Sequence, residues 1–197
     1  MPTKQDFSLV NLQASLFTPI NPNVPSGKIV AAMLKHFAET FDGEMQVLPI
    51  PAELASEIPR VSLRSADGKR QFGASLSRIN FLITAPADIK QAAEEGGELV
   101  ARYSKEMDTP GIRLAMIVNR SCRQPDPAQT LISRFCNDEA KNGPFARSST
   151  FEIHNHKEYP PPGLDYNVNS WVRCTCEKKV DDQSLLVLQD INTLQNE

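Results

Sequence analysis

Two short motifs in the C-terminal third of the chain have the spacing of metal ligands: His154-Asn155-His156 and Cys174-Thr175-Cys176. On extended backbone, alternation puts both histidines on one face and both cysteines on one face, and a zinc site takes four such nitrogen and sulfur ligands. Register argues against joining the two motifs. If the Pro-Pro-Pro-Gly connection closes a hairpin centred between Pro161 and Pro162, His154 stands opposite Asn169 and His156 opposite Asn167. The cysteines then fall opposite Ser149 and Arg147, roughly 15 Å or more along the ladder at about 3.3 Å per residue. They also share their side with Phe151, Ile153, Val168 and Val172. That is a core side, so Cys174 and Cys176 read as structural thiols, and neither a metal nor a cofactor is expected.

The histidine side groups differently. Glu152, His154, His156, Asn167, Asn169, Trp171 and Arg173 make a polar strip with one large aromatic in it. Trp and Arg are enriched where proteins recognise one another. The first functional reading is therefore a non-enzymatic interaction protein that binds a protein partner or itself, with a homodimer expected. A helix or loop lying over Trp171 is the structural alternative. The second reading is a small-molecule or metal-dependent enzyme using His154 and His156, with a carboxylate such as Glu152. It needs a further converging group, and the remaining histidine, His36, sits on a separate predicted helix. A third reading is nucleic-acid binding through Arg60, Arg64 and Arg78 on a sheet face. That face lacks the aromatic platform on which single strands stack.

No hydrolase elbow, phosphate loop, dinucleotide fingerprint, zincin helix or calcium loop occurs in the sequence. Asp67-Gly68-Lys69 reads as a turn. The pairs Glu94-Glu95 and Asp181-Asp182 diverge on a helix or strand and read as solvated charge. Tyr159-Pro160-Pro161-Pro162 reads as a stiff connection between strands.

The 197 residues carry a net charge of −3 with a pI near 5.7, and no dense Lys/Arg run offsets it. This disfavours a protein that holds nucleic acid mainly by neutralising phosphates. With 40% hydrophobic and 23% charged residues a core is expected rather than disorder. The four cysteines read as reduced thiols in a chain of this length. The opening MPTKQDFSLVNLQASLF lacks the order of a signal peptide, and no apolar run is long enough to span a membrane. A cytoplasmic location is the expectation.

The elements that must position the strip can be drawn from periodicity. Phe7 to Phe17 alternates as a strand. Ser26 is the expected N-cap of a helix whose stripe is Ile29, Val30, Met33, Leu34, Phe37 and Phe41, stopped by a left-handed Gly43. Met45 to Ile50 is a short strand, and the polar stretch to Ile58 has room for one helical turn. Pro59 to Thr84 is a meander, with Asp67-Gly68 as a tight turn. Its first hairpin sets Leu63 against Phe72, Val61 against Ala74 and Arg64 against Gln71. Its second, turning at Ser77-Arg78, sets Ala74 against Phe81 and Phe72 against Ile83. One face is then dry and one wet, which calls for helices on the dry side.

A second helix runs from about Pro86 to Met107. Gly96-Gly97 interrupts it as a kink or close approach to the sheet, with a hinge or ligand contact as the sharper alternative. Gly111 to Arg120 is apolar enough to be a central strand covered on both faces. Asp126 to Asn137 is a third, shorter helix. Ser148 to Tyr159, Asp165 to Lys178 and Ser184 to Ile191 are three more antiparallel strands. The expected fold is thus α+β: antiparallel sheet built from meanders, with two long helices and one short helix packed on one face. A single domain spans 1–197, and the last strands (147–192) are able to form a subdomain.

This order of elements resembles that of a sporadically distributed family of bacterial proteins. The features that carry the likeness are Phe7–Phe17, the helix Ser26–Phe41, the turn Ser65-Ala66-Asp67-Gly68, the strand Arg113–Arg120 and the ending Leu186-Val187-Leu188-Gln189-Asp190-Ile191-Asn192. The strand RLAMIVNR keeps the Asn119-Arg120 of the family pattern and departs from its Gly-Leu-Arg-Tyr core. The resemblance implies a soluble bacterial accessory protein and brings no activity or catalytic residues with it.

Overall fold

The computed structural model describes residues 2–3, 6–21, 25–51, 53–179 and 182–194. Among these, the meander forms as its alternation dictates. β3 (Val61–Arg64) and β4 (Arg70–Ala74) pair with Leu63 opposite Phe72, Val61 opposite Ala74 and Arg64 opposite Gln71. Gly68 takes the left-handed conformation that the tight turn requires, at φ 70°. β5 (Arg78–Thr84) pairs with β4 two residues away from the expected register, Ala74 facing Ile79 and Phe72 facing Phe81. Ser75 causes the shift. Its hydroxyl donates to the Arg78 carbonyl at 3.0 Å and accepts from the Arg78 amide at 3.1 Å, which centres the turn on Leu76-Ser77. A slip of two leaves every side chain on its face, so the dry side survives intact.

Among the described residues, nine antiparallel strands form one sheet in the order β2-β3-β4-β5-β1-β6-β9-β8-β7. The others are β1 (Ser8–Phe17), β2 (Met45–Val47), β6 (Arg113–Arg123), β7 (Ile153–Tyr159), β8 (Val168–Lys179) and β9 (Asp182–Thr193). The first strand of the chain therefore lies in the middle, hydrogen-bonded to β5 and β6. The dry face carries Leu12, Ala14, Leu16, Val61, Leu63, Phe72, Ile79, Phe81 and Ile83, all buried. Helices α1 (Ser26–Phe37) and α2 (Ile89–Met107) cover it at one end, and α3 (Pro127–Phe135) lies on β8 and β9 at the other. A fourth, short helix, α4 (Asp138–Asn142), follows α3 and was not expected. The fold is α+β, as the sequence implies. No helix among the described residues is long and apolar enough to cross a membrane.

The ends of α1 differ from expectation. Pro25 is its N-cap residue and Ser26 its first helical residue, while the helix stops at Ala38 rather than at Gly43. Gly43 has a different task. Its amide donates to the Arg64 carbonyl at 3.0 Å, and a Cβ there would lie 2.7 Å from the backbone of Ser65. Residues 53–58 hold turns rather than a helical turn, with the amides of Leu54 and Ile58 donating to the carbonyls of Pro51 and Ala55. In α2, Asp88 rather than Pro86 opens the helix, its carboxylate accepting from the Gln91 amide at 2.8 Å. The interrupting glycines divide by role: Gly96 is buried, and a Cβ on it would meet the Cβ of Ala14 at 2.9 Å, whereas one on Gly97 would meet nothing within 4 Å. Gly96 is thus the close approach of helix to sheet. Gly97→Ala should raise the unfolding free energy by about 1 kcal/mol, the helix-propensity gain. Gly96→Ala should lower it by about 1–3 kcal/mol through overpacking, since a Cβ fixed to β1 cannot yield. Thermal unfolding followed by circular dichroism reads both, and equal signs would refute the division.

Two further expectations are corrected. β6 is central but not covered on both faces: only Val118 and Cys122 are buried, because the longer helices all lie on one side. Glu95 is not merely solvated, since its carboxylate receives the Arg70 guanidinium at 2.6 Å and ties α2 to β4. The Asp181-Asp182 pair lies outside the residues whose side chains are described.

Candidate functional site

β7 and β8 bring the strip together, in a register of their own. The connection uses the whole stretch between Tyr159 and Val168, turning at Gly163 with φ 77°. Three consecutive prolines donate no amide and cannot sit inside a tight paired turn. His156 consequently faces Trp171, where Asn167 was expected, and His154 faces Arg173, where Asn169 was expected. The displacement is again even, so the histidines, Trp171, Arg173 and Asn169 still share one face. Asn167 lies beyond the paired ladder, which ends at Tyr159 opposite Val168.

The imidazole of His156 stacks on the indole of Trp171, with centroids 4.2 Å apart and planes 12° from parallel. The Asn169 side-chain oxygen lies 2.5 Å from His156 Nε2, and a Glu158 oxygen lies 3.6 Å from it. His154 Nε2 lies 3.3 Å from Glu152. Each ring is thus held by its own neighbours. Trp171 is half-buried and rests on His156, on the sheet face opposite α1, α2 and α3.

The same face continues inward. Trp171 stands opposite Asp190 on β9, and Asp190 stands opposite Ile117 on β6, while Leu188 stands opposite Arg173. Glu158, Asp190, Leu188 and Ile117 belong to this surface and were missed by the sequence reading. The alternation along β9 carried the signal, but only once β9 is known to lie between β6 and β8.

The cysteines lie on the opposite, dry face. Cys174 pairs with Ile153, adjacent to His154 in register, so face rather than distance along the ladder separates it from the histidines. Burial pushes its thiol up, away from the thiolate a metal needs. Cys176 donates its thiol to the Phe151 carbonyl at 3.3 Å. Among the described residues, no group of three His, Cys, Asp or Glu side chains is arranged to hold a metal ion. His36 is elsewhere, 2.7 Å from Glu106 between α1 and α2.

The arginine face is also altered. Arg60 is buried at 8% exposure, its guanidinium donating to the carbonyls of Pro51 at 3.0 Å and Ile58 at 3.3 Å. It closes the 51–58 loop over β3 and does not face solvent, leaving Arg64 exposed. Arg78 and Arg113 flank the Phe17 ring, at 5.6 and 3.7 Å from its centroid.

No protein-family model and no curated protein sequence matches the chain.

Proposed function

We propose that this is a non-enzymatic interaction protein that associates with a second copy of itself through the open face of the β7–β8 hairpin. The observation that carries the reading is the Trp171–His156 stack on the sheet face opposite α1, α2 and α3. A stacked ring pair is a rigid, largely apolar plate, and it loses little side-chain entropy when a partner covers it. Around it stand Arg173, Glu152, Glu158 and Asp190, so the surface carries both signs of charge within one patch. Such a patch can meet its own copy across a two-fold axis, with each guanidinium set against a carboxylate of the other chain. In this reading the protein works in a bacterial cytoplasm, without metal or cofactor.

Sedimentation velocity on the wild type and on the Trp171→Ala/Arg173→Ala variant tests it. The wild type should run as a dimer and the variant as a folded monomer with unchanged circular dichroism. Identical association of the two proteins would sink the reading.

A further inference from the structure

On the dry face, the helices leave a gap. Between α2 and the start of β8 lies a cavity of about 670 Å³, floored by Met116 and Ile191 and closed on the far side by Tyr166 and Val168. Its α2 wall is low because Gly97, Ala101 and Ser104 line it, and a side chain at Gly97 would enter open space. At its rim Ile112 and Leu114 stand 44% and 45% exposed.

Apart from the Tyr166 phenol, the polar side chains of the lining are spent on the protein itself. The Ser104 hydroxyl donates to the Thr109 carbonyl at 2.6 Å, and the Thr193 hydroxyl accepts from the Leu114 amide at 2.9 Å. The Asn192 amide donates to Asp190 at 3.2 Å. The one formal charge among the lining residues, on Arg113, is drawn over the Phe17 ring 3.7 Å away on the other side of the sheet. The backbone of the floor is engaged in the β1–β6 and β6–β9 ladders and offers no edge to an incoming strand. What remains for an occupant is hydrocarbon contact and the Tyr166 hydroxyl, which suits an uncharged polar head, in a space within the roughly 300–1,000 Å³ of small-molecule sites. A charged ligand would find no counter-charge there, and would lose its hydration without return.

We infer that this groove is a binding site for a neutral, predominantly hydrocarbon small molecule, such as a linear alkyl chain with an uncharged head. The site is independent of the Trp171 surface, which lies on the other face.

The test uses the whole protein and the n-alkanols from hexanol to decanol, displacing the neutral fluorophore N-phenyl-1-naphthylamine. Affinity should rise roughly fourfold for each added methylene, as expected when each is taken fully out of water. Ala101→Phe and Gly97→Leu, both at exposed helix positions, should each weaken decanol at least about tenfold by filling the slot. Trp171→Ala should bind decanol as the wild type does, which separates this site from the proposed association. Should either variant unfold, methyl NMR of the wild type decides: decanol should shift Met116 and Ile191. Failure of decanol to saturate the wild type overturns the inference. So does unchanged binding in both filled variants, or a change in their oligomeric state alone, which would make the groove a protein interface.

Discussion

Phe81→Ala should remove about 3–5 kcal/mol from the unfolding free energy, among the largest losses available from one side chain of this protein. Phe81 is fully buried, its ring centroid 6.0 Å from that of Phe41 and edge-on to it. It also lies under α2, where a Cβ on Gly96 would approach it to 3.7 Å. Truncation leaves a cavity bounded by β1, α2 and Phe41, and the Gly96–Ala14 contact already holds helix and sheet at minimum separation, so the walls cannot close. Leu82, the next residue, points to the other face between Gln13 and Gln71 and is only half-buried. Leu82→Ala should therefore cost about 1 kcal/mol, the transfer of part of a leucine from a partly wet site. Urea unfolding followed by far-ultraviolet circular dichroism gives both numbers. Equal losses would mean that the two faces are not as unlike as the register makes them.

Trp171→Ala should weaken self-association by about 2 kcal/mol or more, roughly thirtyfold in dissociation constant, as central aromatic anchors do. Truncation removes the indole and also frees the His156 ring from its stack, so the plate loses both its area and its rigidity. Lys157→Ala, on the same strand but pointing to the opposite face, is the matched control and should leave the constant unchanged. Sedimentation equilibrium over a range of loading concentrations measures all three proteins. If Lys157→Ala weakened association as much as Trp171→Ala, the β7 edge rather than the sheet face would be the contact.

Parity explains what was legible. The Asp67-Gly68 turn fixed the first hairpin residue by residue, because its backbone demand is local and only a few residue types meet it. The second and third hairpins slipped by two and by four residues. Ser75 took over one turn with its side chain, and the prolines of 160–162 widened the other. Both slips are even, so the facing of Phe81, Trp171 and the histidines was still read correctly. Strand order was legible within the two meanders, β3-β4-β5 and β7-β8-β9, but not in how β1 and β6 join them. Nothing in the alternation of Leu186, Leu188 and Asp190 says that β9 runs between β6 and β8, so Asp190 and Ile117 could not be assigned to the surface. Arg60 was misplaced for a similar reason: its position in the alternation is that of an outward residue, but the 51–58 loop folds back over it. The groove beneath α2 escaped notice because it is defined by what is missing above Met116 and Ile191.

The central position of β1 also bears on how the chain reaches its fold. Leu12 is hydrogen-bonded through its strand to the neighbourhoods of Ile83 and Val118, so this segment waits for two flanking strands that both follow it in the sequence. At ribosomal speeds of about 5–20 residues per second, it stays unpaired for several seconds after leaving the exit tunnel. During that interval an alternating strand with one apolar face, Leu9 to Phe17, has open hydrogen-bonding edges on both sides. Holdase chaperones should accordingly engage nascent chains that end before Thr84 and release them once β6 has emerged.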